Sequence, residues 1–261
     1  MGLNYSDVES KRFGMRIYRG QYADFNEQEI ERIVNEGNFD IIIVRYPTST
    51  IYEHYRLVDF KNCKTIHADS LVYYSASLQE IDIKPLRNDI LFEVIAPDDS
   101  EQLDDIIETI FSGYQNHYYA NPYLSRPSII EGYMEWAKSY IREESGRIAW
   151  FAKDRFSGKT IAFATCYNDA KGNSCEGILY GVMPECSGKG VYADLIRFTQ
   201  SYYKGLGVET MMVSTQLQNV KVQRVWQSHG FKLLKSYETY HIVNNTVWEK
   251  KQIKNKANNG L

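Results

Sequence analysis

The chain has 261 residues, and its 30 Lys and Arg against 33 Asp and Glu give a net charge of −3. Nucleic-acid binding relies on a strong positive excess, so this balance argues against it. No apolar run approaches the roughly 18 residues that a membrane helix needs, and the polar segment Met1–Arg19 lacks the pattern of a signal peptide. We therefore expect a cytoplasmic protein with no membrane association, long enough for one large domain or two halves.

Cysteine and histidine follow no metal-binding pattern. The four cysteines have neither ligand nor redox spacing, and the five histidines are scattered along the chain. The sequence therefore predicts reduced thiols and no bound metal. Tyrosine is abundant, with 21 residues, which suits either half-buried packing positions or a cleft for a sugar or a nucleotide.

Residues 1–85 predict a small α/β domain. Asn26–Glu36 carries Ile30, Ile33 and Val34 at helical spacing, and Phe39–Val44 is a β-branched run typical of a buried strand. The other predicted strands are Gly14–Tyr18, Arg56–Phe60 and Leu71–Ala76.

Residues 86–249 predict a larger α/β domain. A strand over Ile90–Ala96 precedes two amphipathic helices, over Glu101–Phe111 and Ser128–Arg142. Short Asp/Gly/Asn turns then separate three strands and predict an antiparallel meander: Arg147–Lys153, Lys159–Asn168 and Ser174–Val182.

The sequence pattern in the rest of this domain predicts one more strand, flanked by two helices. The elements are a helix over Val191–Leu206, a strand over Thr210–Thr215, a helix over Asn219–Ser228 and a hairpin opened by Gly230-Phe231. Residues 250–261 are basic and low in apolar residues, which predicts a flexible tail.

A glycine-bearing loop joins the third meander strand to the helix that begins at Val191. The first amides of a helix have no intrahelical partner and lie at the positive end of its dipole. Gly188 and Gly190 lack a Cβ, so an anion can approach the backbone closely. The loop predicts a phosphate or pyrophosphate cradle, to which Lys189 adds charge. A tight strand-to-helix turn without a ligand is the alternative.

The order of elements over Ile90–Val243 resembles the GNAT superfamily of acyl-CoA N-acyltransferases. The run Ser187-Gly-Lys-Gly-Val-Tyr192 resembles its pyrophosphate motif Gln/Arg-x-x-Gly-x-Gly/Ala, with Gly190 matching and Ser187 and Tyr192 departing from it. Asn219 to Gly230-Phe231 resembles the family's Asn-to-Gly-Phe segment. The resemblance implies a mixed, mostly antiparallel sheet flanked by helices, here preceded by a smaller, degenerate α/β half.

The resemblance also implies acetyl-CoA as co-substrate. Its pantetheine arm would lie between two splayed parallel strands and pair with the backbone at Val182, and Asn219 would bind the arm near the acyl end. A plain helix cap is the alternative role for Asn219. The expected cofactor-binding residues are Val182, Ser187, Gly188, Lys189, Gly190, Val191, Tyr192, Asn219 and Trp226.

Acetyl transfer to an amine needs a base that takes a proton from the ammonium form. The resemblance points to Glu176, and strand alternation is expected to put Glu176, Tyr180 and Val182 on one side. A structural ion pair is the alternative for Glu176. Trp226 stands where many family members carry a Tyr acid, and an indole N–H cannot take that role. Either the thiolate leaves unassisted, or another residue serves as the acid; Tyr237, Tyr240 and His241 are the candidates.

The acceptor is expected to be a small-molecule amine. The layout of the first half, the aromatic segment before the Ile129 helix and the run Gly132–Ala137 resemble the TDP-fucosamine acetyltransferase subgroup. That resemblance implies a nucleotide-linked amino sugar of surface polysaccharide (lipopolysaccharide or O-antigen) synthesis. The expected substrate-binding residues are His117, Tyr118, Asn121 and Tyr180.

Several alternatives stay open. A non-catalytic acyl-CoA-binding protein with the same fold is one, and an acetyltransferase acting on a free amino acid or another small amine is a second. A module that binds ATP through the glycine loop is a third. A homodimer is compatible with the sequence, which does not specify an oligomeric state.

Overall fold

The computed structural model describes residues 2–21, 27–142, 146–247 and 249. The strands are β1 (Asn4–Tyr5), β2 (Ile17–Gln21), β3 (Ile41–Pro47), β4 (Cys63–Ser77), β5 (Ile90–Val94), β6 (Arg147–Asp154), β7 (Thr160–Asp169), β8 (Ser174–Val182), β9 (Thr210–Gln216) and β10 (Lys232–Asn244). The helices are α1 (Asp7–Phe13), α2 (Glu27–Glu36), α3 (Ser100–Phe111), α4 (Arg126–Lys138), α5 (Val191–Gly205) and α6 (Val220–Ser228). The predicted tail, 250–261, lies outside the described residues.

The chain divides into two compact units, each built from separate segments. Unit 1 comprises Met1–Leu71, Gln115–Ile129 and Lys235–Leu261, and unit 2 comprises Val72–Tyr114 and Ile130–Leu234. These units do not follow the predicted boundaries at residues 85 and 249, because β4 and β10 each contribute residues to both. The division into domains 1–85 and 86–249 stays a prediction.

Unit 1 contains the strand order β1-β2-β3-β10. β1 pairs with β2 antiparallel, β2 with β3 parallel, and β3 with β10 antiparallel. The run Ile41–Val44 is fully buried, as expected for a β-branched strand covered on both faces. Ile30 and Ile33 of α2 pack into the same core as Ile42 and Val44.

Unit 2 contains the strand order β4-β9-β8-β7-β6-β5, in which β5 to β8 are successive antiparallel neighbours. The predicted meander is therefore confirmed. β8 and β9 are parallel, and α5 packs on the sheet through Leu195, Ile196 and Tyr203. The protein is a mixed α/β fold whose strand pairing is mostly antiparallel.

A strand from the first third of the chain belongs to unit 2. Val72, Tyr74 and Ala76 of β4, together with Leu78, are buried in the same core as Trp226 and the α5 side chains. The backbone also connects there, since Leu78 N donates to Glu209 O at 2.7 Å. The core of unit 2 thus includes residues of β4, which lie before the predicted second domain, 86–249, in the sequence.

Two local predictions were wrong. Arg56–Phe60 is not a strand, because Thr48–Val58 forms a 3₁₀ helix that buries His54 and Leu57, three residues apart, on one face. The hairpin expected after Gly230 is one uninterrupted strand, β10. No Gly, Pro, Asp or Asn interrupts residues 231–243, so nothing in the sequence favours a turn there.

Within the described ranges, no helix is both long enough and apolar enough to cross a membrane.

Candidate active site

The parallel strands β8 and β9 separate partway along their length. Their register runs from Ser174↔Thr210 to Gly177↔Val213 and goes no further, although β8 continues to Val182 and β9 to Gln216. The backbone of both strands beyond these last partners therefore faces a gap. An extended ligand can pair with strand backbone exposed in this way.

A bulge in β8 coincides with the separation. On the other side of β8, Cys166 pairs with Gly177 and Thr165 pairs with Leu179, so Ile178 is the extra residue. A bulge increases the local twist and bends the strand that carries it. The bend therefore accounts for the point at which β8 leaves β9.

The bulge also reverses which side chains share a face of β8. Glu176 pairs with Tyr167, whereas Tyr180 pairs with Ala164, and these two β7 residues point to opposite faces. The expectation that Glu176, Tyr180 and Val182 lie on one side was wrong, because strict alternation does not cross a bulge. Glu176 instead shares a face with Leu179.

Glu176 is partly buried on this face. Burial raises the pKa of the Tyr140 phenol; Arg147 and Trp136 lower it, and the charge of Glu176 raises it. This location is compatible with a base and with the alternative structural role.

The hydroxyl of Tyr180 forms its hydrogen bonds within the core of unit 2. It lies 3.1 Å from Cys166 Sγ and donates to Thr199 Oγ1 of α5 at 3.0 Å. Burial raises the pKa of the Cys166 thiol to about 12 and raises that of Tyr180 as well. Tyr180 thus fixes the face of β8 that α5 covers, a location unlike the acceptor contact expected for it.

The glycine loop leads into α5 with the backbone conformation that an anion cradle needs. Gly188 and Gly190 have φ values of +76° and +82°, a region that other residues rarely adopt. A Cβ at either position would meet no atom within 4 Å. The amide of Asp194 donates to Gly190 O at 3.1 Å, so the amides of residues 191–193 precede the helical ladder.

Asp194 anchors the start of α5 from its buried side. Its side chain is 1% exposed and pairs with Arg87, at 2.7 Å from Nε, and with Arg197. A carboxylate near a helix N-terminus is stabilised by the helix dipole. The loop side of the helix start remains exposed from Ser187 to Gly190.

Asn219 immediately precedes α6, as the sequence predicted. Its Nδ2 donates to Thr215 Oγ1 of β9 at 3.0 Å, whereas an N-cap side chain accepts from the helix amides. The helix-cap alternative is therefore not what the structure contains. Asn219 is directed toward the part of β9 that has separated from β8.

Trp226 is buried on α6, 3% exposed, with its ring centroid 5.6 Å from that of Tyr74. Its indole N–H has no hydrogen-bond acceptor of ordinary geometry in the described part of the chain. It lies near the phenol of Tyr192, whose pKa is raised by burial, lowered by the indole and raised by Tyr114. Tyr192 and Trp226, two departures from the family pattern, thus come together in unit 2.

The remaining candidates lie in unit 1. His117, Asn121 and His241 are at most 6% exposed and form a hydrogen-bonded cluster. His117 Nδ1 lies 2.9 Å from His241 Nε2, and Asn121 Nδ2 lies 3.0 Å from His241 Nδ1. Burial lowers the pKa of His241 to about 3 and that of His117 well below its ordinary value, and the cationic Arg19 and Arg45 act in the same direction.

This environment does not suit His241 as a proton donor near neutral pH, because the ring is neutral and both nitrogens are engaged. Tyr118, next to His117, also lies in the interior of unit 1. Its hydroxyl donates to Glu9 and lies 3.0 Å from Arg19 Nη1. Tyr237 lies on β10 opposite Pro47.

A pocket of about 200 Å³ opens beside this cluster in unit 1. Tyr119 and Arg126 line it, and the Arg126 guanidinium carbon lies 4.8 Å from the Tyr119 ring centroid. An exposed guanidinium stacked on an aromatic ring offers a planar, charged surface for a phosphate.

The comparison with family sequences agrees with this geometry. Residues 106–231 match the sequence model of the acetyltransferase (GNAT) family, and the strand gap, the glycine loop and Asn219 all lie within them. Over these residues the chain is similar to the GNAT family.

Proteins similar to this chain include the spore coat polysaccharide biosynthesis protein SpsD of Bacillus subtilis. The two are 25% identical over 208 residues, which cover 78% of this chain and 66% of SpsD, just under two thirds of its length. A crystal structure of a GCN5-related N-acetyltransferase from Sphaerobacter thermophilus is similar with a TM-score of 0.58 and 14% identity, covering 82% of this chain and 65% of that one. A second, from Kribbella flavida, has a TM-score of 0.55 and 12% identity, covering 87% and 81%. These structures share the fold.

Sequence reasoning missed two residues of this candidate site. Tyr114 and Thr215 meet near Asn219, although no motif marks either residue. Tyr114 stands in a loop after α3, about 100 residues before Thr215, so only the folded chain brings the two hydroxyls together. Among the described residues, no three His, Cys, Asp or Glu side chains form a metal-binding group; the absence of a metal stays a prediction.

Proposed function

We propose that the protein is an N-acetyltransferase that moves an acetyl group from acetyl-CoA to a primary amine by direct attack. The observation that carries this proposal is the separation of β8 from β9 at Gly177 and Val213 beside the start of α5, within one compact unit. A strand gap and an anion cradle are what an extended pantetheine arm and its pyrophosphate require.

The residues around the gap fit acetyl-CoA. The open backbone at Gly188 and Gly190 and the first α5 amides would hold the pyrophosphate, and the β8 backbone at Val182 would hold the arm. Ser187, Lys189, Val191 and Tyr192 would complete the cradle, and Asn219 and Trp226 would lie along the arm. The bound thioester supplies the activated acetyl group.

Glu176 is the proposed base, directly or through a water molecule. It is partly buried on β8, one residue before the last β8–β9 pair at Gly177, and a carboxylate at the edge of the gap can take a proton from the acceptor amine. Replacing Glu176 with Gln should lower kcat by about 10²–10⁴-fold while acetyl-CoA affinity stays the same. The exposed Glu209→Gln is the matched control and should keep wild-type turnover. An unchanged kcat in Glu176→Gln would remove the base role.

The proposed acceptor is a nucleotide-linked amino sugar used in surface polysaccharide synthesis. The name of the similar SpsD protein refers to spore coat polysaccharide, and the pocket beside Tyr119 and Arg126 supports a diphosphate-bearing ligand. His117 and Asn121 would hold the wall of this pocket in place, since their side chains are hydrogen-bonded to His241. Tyr118, which lines the pocket, is proposed to have the same supporting role.

A comparison of acceptors tests this choice. TDP- and UDP-linked amino sugars should be acetylated with a lower KM than the free sugars. Arg126→Gln should raise KM for the linked sugars only, because it removes a phosphate contact. Equal KM values for linked and free sugars would favour a free amine as the acceptor.

A non-catalytic acyl-CoA-binding protein is the second candidate. It is favoured by Trp226, which places an indole where many relatives have a phenol. Calorimetric binding of acetyl-CoA without turnover of any amine would support it.

A further inference from the structure

Beyond Val213, where β9 has parted from β8, three polar side chains meet. Tyr114 donates its hydroxyl proton to Gln216 Oε1, and the same hydroxyl lies 3.4 Å from Thr215 Oγ1. Asn219 Nδ2 donates to that threonine oxygen at 3.0 Å. The Tyr114 hydroxyl and the Asn219 amide therefore converge on one atom at the open part of the gap.

The ring of Tyr114 is held on two sides. Its centroid lies 5.4 Å from that of Phe111 at an interplanar angle of 85°, and 6.2 Å from that of Tyr133 at 82°. Edge-to-face contacts of this kind are the preferred arrangement of aromatic pairs. The packing fixes the position of the hydroxyl oxygen, so the O–H has only to rotate away from Gln216 about its C–O bond to reach the sulfur.

The other donors near the gap are less suited to give up a proton. Trp226 carries an indole N–H, which is a donor without acidic chemistry. Tyr192 lies near both Trp226 and Tyr114, but it is buried, and burial raises the pKa of its phenol. Tyr114 is the phenol that shares a hydrogen-bonding partner with Asn219.

We infer that Tyr114 supplies the proton to the leaving thiolate, in place of the tyrosine that Trp226 replaces. This inference rests on the proposed function. When the acetyl C–S bond breaks, its electron pair goes to sulfur, and the Tyr114 O–H proton is transferred to that sulfur to give the free thiol. The amine nitrogen forms the new bond to the acetyl carbon and loses two protons between ammonium and amide. Glu176 takes the first and passes it to solvent, and the second returns through solvent to the Tyr114 phenolate, which restores the phenol.

The test compares three phenylalanine variants. Tyr114→Phe keeps the ring packed against Phe111 and Tyr133 and removes only the hydroxyl. Tyr192→Phe tests the competing phenol. Tyr203→Phe removes a buried hydroxyl elsewhere on α5 and serves as the control, with turnover equal to wild type.

The first readout is the ionisation of bound CoA, followed as thiolate absorbance during a pH titration at saturating CoA. The same titration with a CoA analogue that lacks the sulfur subtracts the ionisation of the tyrosines. A hydroxyl that donates to the sulfur stabilises the thiolate, so Tyr114→Phe should raise the thiol pKa by about one unit. Tyr203→Phe should leave it unchanged. If CoA binds and Tyr114→Phe leaves the thiol pKa unchanged, or if the shift occurs in Tyr192→Phe instead, the inference is overturned while the proposed function stands.

The second readout is turnover with two acyl donors. With acetyl-CoA, Tyr114→Phe should lose about 10²-fold in kcat at unchanged acetyl-CoA affinity. With a thioester of a more acidic thiol, the leaving thiolate needs less help from an acid, so the same substitution should lower kcat much less. An equal loss with both donors contradicts the inference. Absence of CoA binding by the wild-type protein would overturn the proposed function and the inference together.

Discussion

Gly177 lies directly against the ring of Tyr180: a Cβ on residue 177 would come within 2.5 Å of that ring. Tyr180 has little room to yield, because its hydroxyl is held by Cys166 and Thr199 and would itself lie 2.8 Å from that Cβ. The residue at which β8 and β9 stop pairing therefore also leaves no space for a side chain.

Replacing Gly177 with Ala should destabilise the protein. The methyl group would push the Tyr180 ring off its hydrogen bonds, at a cost of about 1–3 kcal/mol as for other overpacked cores. The free energy of unfolding in urea measures this. Gly205→Ala, on α5, is the matched control, since a Cβ there meets no atom within 4 Å. A Gly177 variant as stable as the control would contradict the assigned contact.

Replacing Gly190 with Ala should weaken acetyl-CoA binding beyond any effect on stability. Gly190 and Gly207 both have left-handed φ values, +82° and +80°, and both have space for a Cβ. Alanine at either position costs about 1–2 kcal/mol of backbone strain, but only Gly190 belongs to the cradle. We expect calorimetry to give at least about a tenfold higher Kd for Gly190→Ala and a wild-type Kd for Gly207→Ala. Equal affinities would place the pyrophosphate elsewhere.

The His117–His241 pair should make the protein less stable in acid. Both rings are neutral in the folded state, with the pKa of His241 lowered to about 3 and that of His117 also lowered. The unfolded chain takes up protons below about pH 6.5, so stability is constant above that value and falls as pH decreases from 6.5 toward 3. Each ring contributes a slope of up to about 1.4 kcal/mol per pH unit.

Urea denaturation at several pH values measures this slope. His241→Gln should lower stability at pH 7, because it breaks the bonds to His117 and Asn121, and it should also make the slope shallower. A variant that keeps the full wild-type slope would show that another group causes the acid sensitivity.

Replacing Tyr74 with Ala should destabilise unit 2. Tyr74 is 4% exposed, packs against Trp226, and its hydroxyl bonds to Gln223 and Gln227 of α6. Loss of a large buried aromatic side chain costs about 3–5 kcal/mol. Tyr52→Ala, at a position 89% exposed, should change stability little. Similar values for the two variants would contradict a structural role of β4 in unit 2.

The sequence predicted the elements whose patterns are local. The meander, the helix that begins at Val191 and the position of Asn219 before α6 follow from turn residues, glycines and apolar spacing, and all are confirmed. The bulge at Ile178 was not predictable, because an extra residue leaves the apolar pattern of β8 nearly unchanged while it reverses the faces. The cluster of Tyr114, Thr215 and Asn219 was also beyond prediction, since it depends on contacts between distant parts of the chain.

The pairing of β3 with β10 has a consequence for synthesis. Arg45 Nε donates to Thr239 Oγ1 across 194 residues of sequence, so the sheet of unit 1 joins two parts of the chain that leave the ribosome far apart in time. During synthesis, the edge of β3 that pairs with β10 stays unpaired along the apolar run Ile41–Val44 until β10 has left the ribosome. Such long-range pairing forms slowly, and the chain is prone to aggregate until it has formed. A chain truncated before β10 would therefore be an aggregation-prone fragment and not a smaller folded protein.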